Sequence, residues 1–333
     1  MFQNGALIEI KELAVEFQLL QGIVPAVNGV SFEIKSGQTL GIVGESGSGK
    51  SVTALSILGL VPSPPGRLVG GQIIFHRAST GETLDMTRLP PKGKAIRAIR
   101  GNEIAMIFQE PMTSLTPAYT IGEQIMEAII LHQMVDRAEA RRRAIDILDR
   151  VGMPEPDRVI NHYPHQLSGG MMQRAMIAIA LSCRPSLLIA DEPTTALDVT
   201  TAAQIQELMR NLQENLNMAI MYITHDLGVI AEMADEVVVM YLGRVMEHTD
   251  VVSLFYEPQH PYTQGLLNSI PRLGSKNRLV PIRGVVPEPY AIPKGCVFGP
   301  RCPKFMPGLC DQAEPPLVAT TTQHKVRCYL YTS

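Results

Sequence analysis

The residues Gly44-Glu45-Ser46-Gly47-Ser48-Gly49-Lys50-Ser51 follow the apolar run Thr39-Leu40-Gly41-Ile42-Val43 and precede a helical pattern from Ser51 to Leu60. A buried strand feeding a Gly-x4-Gly-Lys-Ser turn and then a helix lets successive backbone N–H groups converge on phosphate oxygens. In such a P-loop, Lys50 reaches the β- and γ-phosphates and the Ser51 hydroxyl holds Mg²⁺. A glycine-rich turn without this chemistry is the plainer reading, and the downstream residues weigh against it. The run Leu187-Leu188-Ile189-Ala190-Asp191-Glu192 ends an apolar strand in two carboxylates. Asp191 suits the Mg²⁺ shell, and Glu192 suits a general base that polarises an attacking water. Gln109 follows the strand-like Ile104–Phe108, where its amide can touch Mg²⁺ or that water. His225 follows the apolar run Met218–Ile223, within hydrogen-bonding reach of a γ-phosphate. Each of these alone is more often a strand end, a loop glutamine or a structural histidine; in this order they point to ATP hydrolysis.

A second anion-binding tip lies far along the chain. In Leu167-Ser168-Gly169-Gly170, Ser168 reads as a helix N-cap, and the glycines expose N–H groups at the positive end of a helix. One P-loop and one such tip per chain form two complete sites only if two subunits pair head-to-tail. Asp198, in Ala196-Leu197-Asp198, is then expected along that interface.

The elements that position these residues follow from periodicity. Ile8-Glu9-Ile10 and Val30-Ser31-Phe32-Glu33-Ile34 alternate as strands, while Leu187–Ala190, Met218–Ile223 and Glu236–Tyr241 read as buried strands. Residues 122–183 read as helical, interrupted near Pro154 to Pro164. Within them Ala144, Ile147, Leu148 and Val151 form one apolar stripe. Arg141-Arg142-Arg143 lies beside that stripe among Asp136, Glu139 and Asp146, so it reads as a solvated face rather than a phosphate patch. Strands alternating with helices predict an α/β fold with a mostly parallel sheet. After about Asp250 prolines become dense and regular periodicity fades, which marks a boundary to a small appended module.

The 333 residues, 45% of them hydrophobic, are enough for a sizeable core and suggest two domains or one with an appendage. A net charge of -3 supplies no global field toward nucleic acid or anionic lipid. No run of 18 apolar residues occurs, and the start lacks a basic segment followed by an apolar one, so a soluble intracellular chain is expected. Cys183 sits alone in an apolar stretch and reads as a small core residue. Cys296, Cys302, Cys310 and Cys328 are spaced C-x5-C-x7-C-x17-C near the end. In a reducing compartment that clustering favours a metal or cluster site over disulfides.

Over residues 6 to 250 the chain resembles the ATP-binding-cassette ATPases. Its motifs are similar to the family's Walker A, Q-loop, signature, Walker B, D-loop and switch histidine. The resemblance implies an ABC-type P-loop NTPase core with an N-terminal antiparallel β subdomain and an inserted α-helical subdomain at about residues 111–183. It places ATP on Gly44, Glu45, Ser46, Gly47, Ser48, Gly49, Lys50 and Ser51, and Mg²⁺ on Ser51, Gln109 and Asp191. The partner's nucleotide falls to Ser168, Gly169, Gly170 and Asp198, and the adenine-stacking aromatic falls on Phe17. Met171 departs from the pattern, which has glutamine after the glycine pair; backbone N–H groups and Ser168 do the phosphate binding, so activity is still expected.

The tail narrows the resemblance. Glu257-Pro258-Gln259-His260-Pro261-Tyr262-Thr263-Gln264-Gly265-Leu266-Leu267 and the Cys-rich end are similar to the D-type subunits of dipeptide/oligopeptide importers. That similarity implies an extension over 251–333 carrying an iron–sulfur (4Fe–4S) cluster on the four cysteines, with Zn²⁺ as the alternative and free thiols third. It further implies a second ATPase subunit, identical or paralogous, two integral membrane permease subunits and an external substrate-binding protein. The place of work is then the cytoplasmic face of a prokaryotic plasma membrane, held peripherally. The helical segment with Tyr119, Ile121 and Ile125 is expected to receive the permease helices. A soluble cassette ATPase acting on nucleic acid or ribosomes is the alternative, against which stand one P-loop, no sustained heptads and a negative net charge. A redox or sensor role for the tail is a further reading. Oligosaccharides and metal chelates remain alternatives to peptides as cargo.

Overall fold

The computed structural model describes residues 5–110, 114–195, 197–270, 281–288 and 290–332. Strands β1 (Ala6–Leu19) and β2 (Gly22–Lys35) form an antiparallel hairpin, joined by β4 (Gly66–His76) and β5 (Thr83–Asp85) into a sheet of order β2-β1-β4-β5. Among the described residues the larger sheet has eight strands. It contains β3 (Thr39–Val43), β6 (Ile104–Ile107), β7 (Leu187–Asp191), β8 (Ala219–Ile223), β9 (Glu236–Tyr241), β10 (Arg244–Asp250), β11 (Val318–Ala319) and β12 (Lys325–Val326), in the order β11-β12-β10-β9-β3-β8-β7-β6. From β9 to β6 the strands are parallel; β10, β12 and β11 turn antiparallel.

The parallel strands are buried on both faces, which is why they are continuous apolar runs without alternation. Every residue of β3, β7 and β8 is buried. Successive residues still part company: Leu187 and Ile189 enter a cluster with the N-terminal sheet, and Leu188 and Ala190 enter one with the helices. A fully buried Ile or Leu in either layer contributes about 1.5–3 kcal/mol by leaving water.

The helical layer starts where its caps say it should. Thr120 and Glu123 form a capping box for the helix Ile121–Gln133, Asp136 caps Arg137–Arg150, and Ser168 caps Gly169–Leu181. Glu139 pairs with Arg142 and Arg143, so the basic run is a charged outer face. Cys183 is buried against the Ala128 carbonyl. Ile121 and Ile125, expected to meet a membrane partner, are instead fully buried in this layer's own core. Their i, i+4 spacing serves the inward stripe. The exposed apolar residues on and beside the helix Ile121–Gln133 include Tyr119, Ile130, Leu131 (70% exposed) and Met134 (95% exposed).

The segment after Asp250 is more regular than its periodicity foretells. It contains the helices Val251–Tyr256, capped by Asp250, and Pro261–Asn268, which starts with proline at its first position. Helices of 6 and 8 residues are too short to register a 3.6-residue pattern, and tertiary burial of Leu254, Tyr262 and Leu267 holds them. The tail is also stitched to the core, because β12 pairs with β10 and so extends the large sheet. At that seam Glu247, wholly buried, accepts from the Gln259 and His260 backbone N–H groups at 2.7 and 2.9 Å and meets His324 Nε2 at 2.7 Å.

Candidate nucleotide site

The Gly44–Ser51 loop leaves the carboxyl end of β3, in mid-sheet. Its helix, Lys50–Ile57, begins at Gly49 with φ 97° and no side-chain cap, so the first-turn N–H groups remain free for an anion. At Gly44 a Cβ would lie 2.1 Å from the Met240 carbonyl oxygen, so the loop closes against β9 only with glycine. Gly47 has φ +77° and open space where a Cβ would point. Lys50 is buried and donates to the carbonyls of Gly44 at 2.8 Å and Glu45 at 3.1 Å. Burial pulls its ammonium pKa down, while Glu192, Asp191 and Glu45 oppose that shift.

Asp191 ends β7. Burial raises its pKa, and a hydrogen bond with Ser51 works the other way. Its Oδ1 is buried without a hydrogen-bond partner among the described residues. A desolvated carboxylate oxygen facing a serine hydroxyl beside the P-loop is the donor set that Mg²⁺ takes, so the residues fit that ion.

Glu192, one residue on, adopts a left-handed backbone with φ 47°, which turns its side chain out of the sheet. Three side chains, two of them from distant positions, meet its carboxylate. Gln109 Nε2 donates to Oε2 at 3.1 Å, Thr195 Oγ1 donates to Oε2 at 2.9 Å, and His225 Nδ1 lies 3.1 Å from Oε1. Burial alone would raise the Glu192 pKa; the bonds from His225 and Thr195, with the charges of His225 and Lys50, outweigh it and lower the pKa. The carboxylate is thus favoured in its ionised form and fixed in place, as a general base must be.

These positions converge for a topological reason. Gln109, Glu192, His225 and the P-loop all lie just past the carboxyl ends of parallel strands, and these ends share one edge of the sheet. Thr195 was absent from the sequence reading; its only signal is a hydroxyl three residues after Glu192.

The Ser168-Gly169-Gly170 tip lies elsewhere. Ser168 is exposed and accepts from the Met171 N–H at 3.3 Å. A Cβ on Gly170 would lie 2.7 Å from Thr201 Cγ2, so the tip packs against the start of the helix Val199–Leu216. Asp198 caps that helix, accepting from the Thr201 N–H at 3.0 Å. Ala196 lies outside the described residues. Phe17 sits on β1 at the rim of a core cluster, half-buried near Gly66.

The four C-terminal cysteines are free thiols; three are buried and Cys302 half-buried. Burial pushes the Cys296 thiol up to about 11 and raises those of Cys302 and Cys328. The four lie near enough to act on one another electrostatically. Backbone N–H groups of Phe298, Lys304 and Leu330 hydrogen-bond to the sulfur two residues earlier in each case. Among the described residues, however, no three His, Cys, Asp or Glu side chains close on a point that could hold one metal ion.

Comparison with known proteins gives the class first. The fold matches solved ATP-binding cassettes, among them the dimeric bacterial ABC transporter cassette MJ0796 and its post-hydrolysis state bound to ADP and Pi. The TM-score is 0.64 for each, at 29% and 28% identity, over 73% of this chain and 98% of that one. Residues 27–195 match the ABC transporter family, and residues 246–310 match the oligopeptide/dipeptide transporter C-terminal region. The chain belongs to the ABC transporter family as an ATP-binding, ATP-hydrolysing cassette. Within it, the chain is 51% identical to the oligopeptide transport ATP-binding protein AppD of Bacillus subtilis, over 98% of this chain and 97% of that one. It is 48% identical to the dipeptide transport ATP-binding protein DppD of Escherichia coli, over 97% and 96%.

Proposed function

We propose that this chain is the motor subunit of a peptide importer: it binds MgATP, closes on a second cassette, and reopens on hydrolysis. The observation that carries the reading is the meeting of Gln109, Thr195 and His225 on Glu192 beside the P-loop. It occurs in a chain about half identical, nearly end to end, to peptide-transport ATP-binding proteins.

The geometry around Glu192 and the P-loop supports some of the roles that follow, and the resemblance to the family supports the rest. P-loop N–H groups and Lys50 hold the phosphates, with Ser51, Asp191 and Gln109 assigned to Mg²⁺, which when bound neutralises charge between the β- and γ-phosphates. Glu192 takes the proton of the attacking water. His225 and Gln109 orient that carboxylate, and His225 can donate toward the γ-phosphate. Phe17 is assigned to stack on adenine. Ser168, Gly169, Gly170 and Asp198 are assigned to the partner's nucleotide, which makes hydrolysis depend on a head-to-tail pair. Residues 1–250 form the ATPase domain in this reading, with a helical subdomain at about 111–183 and an extension at 251–333.

No helix among the described residues is long and apolar enough to cross a membrane. The membrane association is therefore assigned to permease subunits, which bring the chain to the cytoplasmic face and complete the importer with an external binding protein. The apolar residues Tyr119, Ile130, Leu131 and Met134 are the surface assigned to them. The four cysteines are assigned a 4Fe–4S cluster, with Zn²⁺ as the alternative. Supporting this are thiol donors, their mutual proximity and the N–H groups aimed at three sulfurs.

The deciding experiment is reconstitution with the neighbouring permeases in vesicles holding peptide-loaded binding protein outside. ATP-dependent peptide uptake is expected. Co-purification with nucleic acid, and no uptake, would replace this reading with that of a soluble cassette ATPase.

A further inference from the structure

The P-loop contains an ionic group that a phosphate site should not tolerate. Glu45 lies one residue past Gly44, within a loop whose amides attract anions, and a carboxylate there repels a polyphosphate. Its charge is met from the far end of the chain. Arg301 Nη1 bonds Glu45 Oε2 at 2.6 Å and Nη2 bonds Oε1 at 3.0 Å, a two-pronged pair across 256 positions. The Arg301 side chain is only 5% exposed. Its Nε donates to the Arg283 carbonyl at 3.2 Å, and its guanidinium lies 5.7 Å from the Tyr241 ring centre. Its Nη1 also donates to the Tyr241 hydroxyl at 3.3 Å, and Glu45 is its ion-pair partner among the described residues.

A second contact reaches the same residue. The Tyr262 hydroxyl accepts from the Glu45 backbone N–H at 2.9 Å, and Tyr262, Tyr241 and Phe298 pack as one aromatic group. Arg301 ends the short turn Gly299–Arg301 and directly precedes Cys302. The Cys-rich segment therefore delivers the guanidinium to the P-loop.

We propose that Arg301 is a positioning residue of the nucleotide site: it neutralises and anchors Glu45, so that the C-terminal extension makes the P-loop fit for a polyphosphate. The inference rests on MgATP binding at the P-loop. Arg301 touches no nucleotide and acts through Glu45.

The test is equilibrium binding of MgATP, MgADP and AMP to the full chain at low salt. Arg301→Gln should weaken MgATP about ten- to hundred-fold, MgADP less, and AMP least, because the unpaired carboxylate lies in the loop that holds the β- and γ-phosphates, of which ADP lacks one and AMP both. In the Glu45→Gln/Arg301→Gln double variant the carboxylate is gone, and most of the loss should be recovered. A purely structural anchor predicts equal losses for the three nucleotides and no recovery. Either that pattern or unchanged MgATP binding in Arg301→Gln overturns the proposal. If Arg301→Gln does not fold, Glu45→Gln alone decides: with Arg301 left uncompensated, MgATP should tighten several-fold relative to AMP, and a uniform loss overturns the proposal. Lys50→Ala separates the two failures. If it binds MgATP like the parent chain, the P-loop reading falls and takes this inference with it; if it loses binding while Arg301→Gln does not, only the inference falls.

Discussion

Replacing Glu192 with glutamine isolates proton transfer from everything else at the site. The carboxylate accepts from Gln109 and Thr195 at one oxygen, Oε2, and faces His225 Nδ1 at the other. A glutamine amide fits this arrangement: its oxygen can take both donors, and its NH₂ can give to Nδ1 when His225 carries its proton on Nε2. The contacts survive and the base is gone. General-base catalysis is worth about 10²–10⁴ in rate, or about 2.7–5.4 kcal/mol of barrier. Steady-state phosphate release from Glu192→Gln should therefore fall by about that factor while MgATP binding persists. Closure without hydrolysis should also build up an ATP-bound pair, read by mass photometry or size-exclusion chromatography with the cognate second cassette present. Turnover within about five-fold of the parent chain would refute the base assignment. A variant that stays monomeric in saturating MgATP, even with that partner, would refute the shared site.

Three other outcomes are expected. Glutamate at Leu131 and Met134, both well exposed, should abolish vesicle transport while leaving basal hydrolysis of the detergent-free chain intact; unimpaired transport would place the permease contact elsewhere. Anaerobically purified protein should carry iron and acid-labile sulfide in equal amounts, lost in Cys302→Ser, whereas one zinc per chain would favour the alternative. His260 is buried, and that burial holds its pKa down at about 4 from 6.5, against the opposing charge of Glu247. Because the unfolded chain takes the proton first, stability should decline as pH falls from about 6.5 to about 4. His260→Asn keeps an acceptor for the Tyr262 N–H, 3.0 Å away in the parent, and should flatten that part of a urea-denaturation profile; an unchanged slope would exclude His260 as its source.

The phosphate cradle was legible because it is local. Its N–H groups come from eight consecutive residues, and the flanking apolar strand and helix are written beside them. The helix start at Ser168 was local in the same sense, since a cap bonds to an N–H two or three residues away. The meeting of Gln109, Glu192 and His225 was nearly as readable. Each follows an apolar run, and parallel strands bring their carboxyl ends to one edge. Position along a helix, by contrast, does not say which apolar face is covered, so Ile121 and Ile125 looked available and proved to be core.

What only the tertiary structure decided were contacts between segments with no common period. Strand order is one: β12 joins β10, with Glu247 buried against the returning tail. Glu45 is the sharper case. In sequence it is one more member of a phosphate loop, and nothing local says that its side chain is already taken. Its partner comes from 256 positions away, chosen by where the Cys-rich turn lands rather than by any spacing. Backbone geometry at a strand–helix junction is encoded in a few neighbouring residues, whereas an ion pair between remote segments depends on the path of the whole chain.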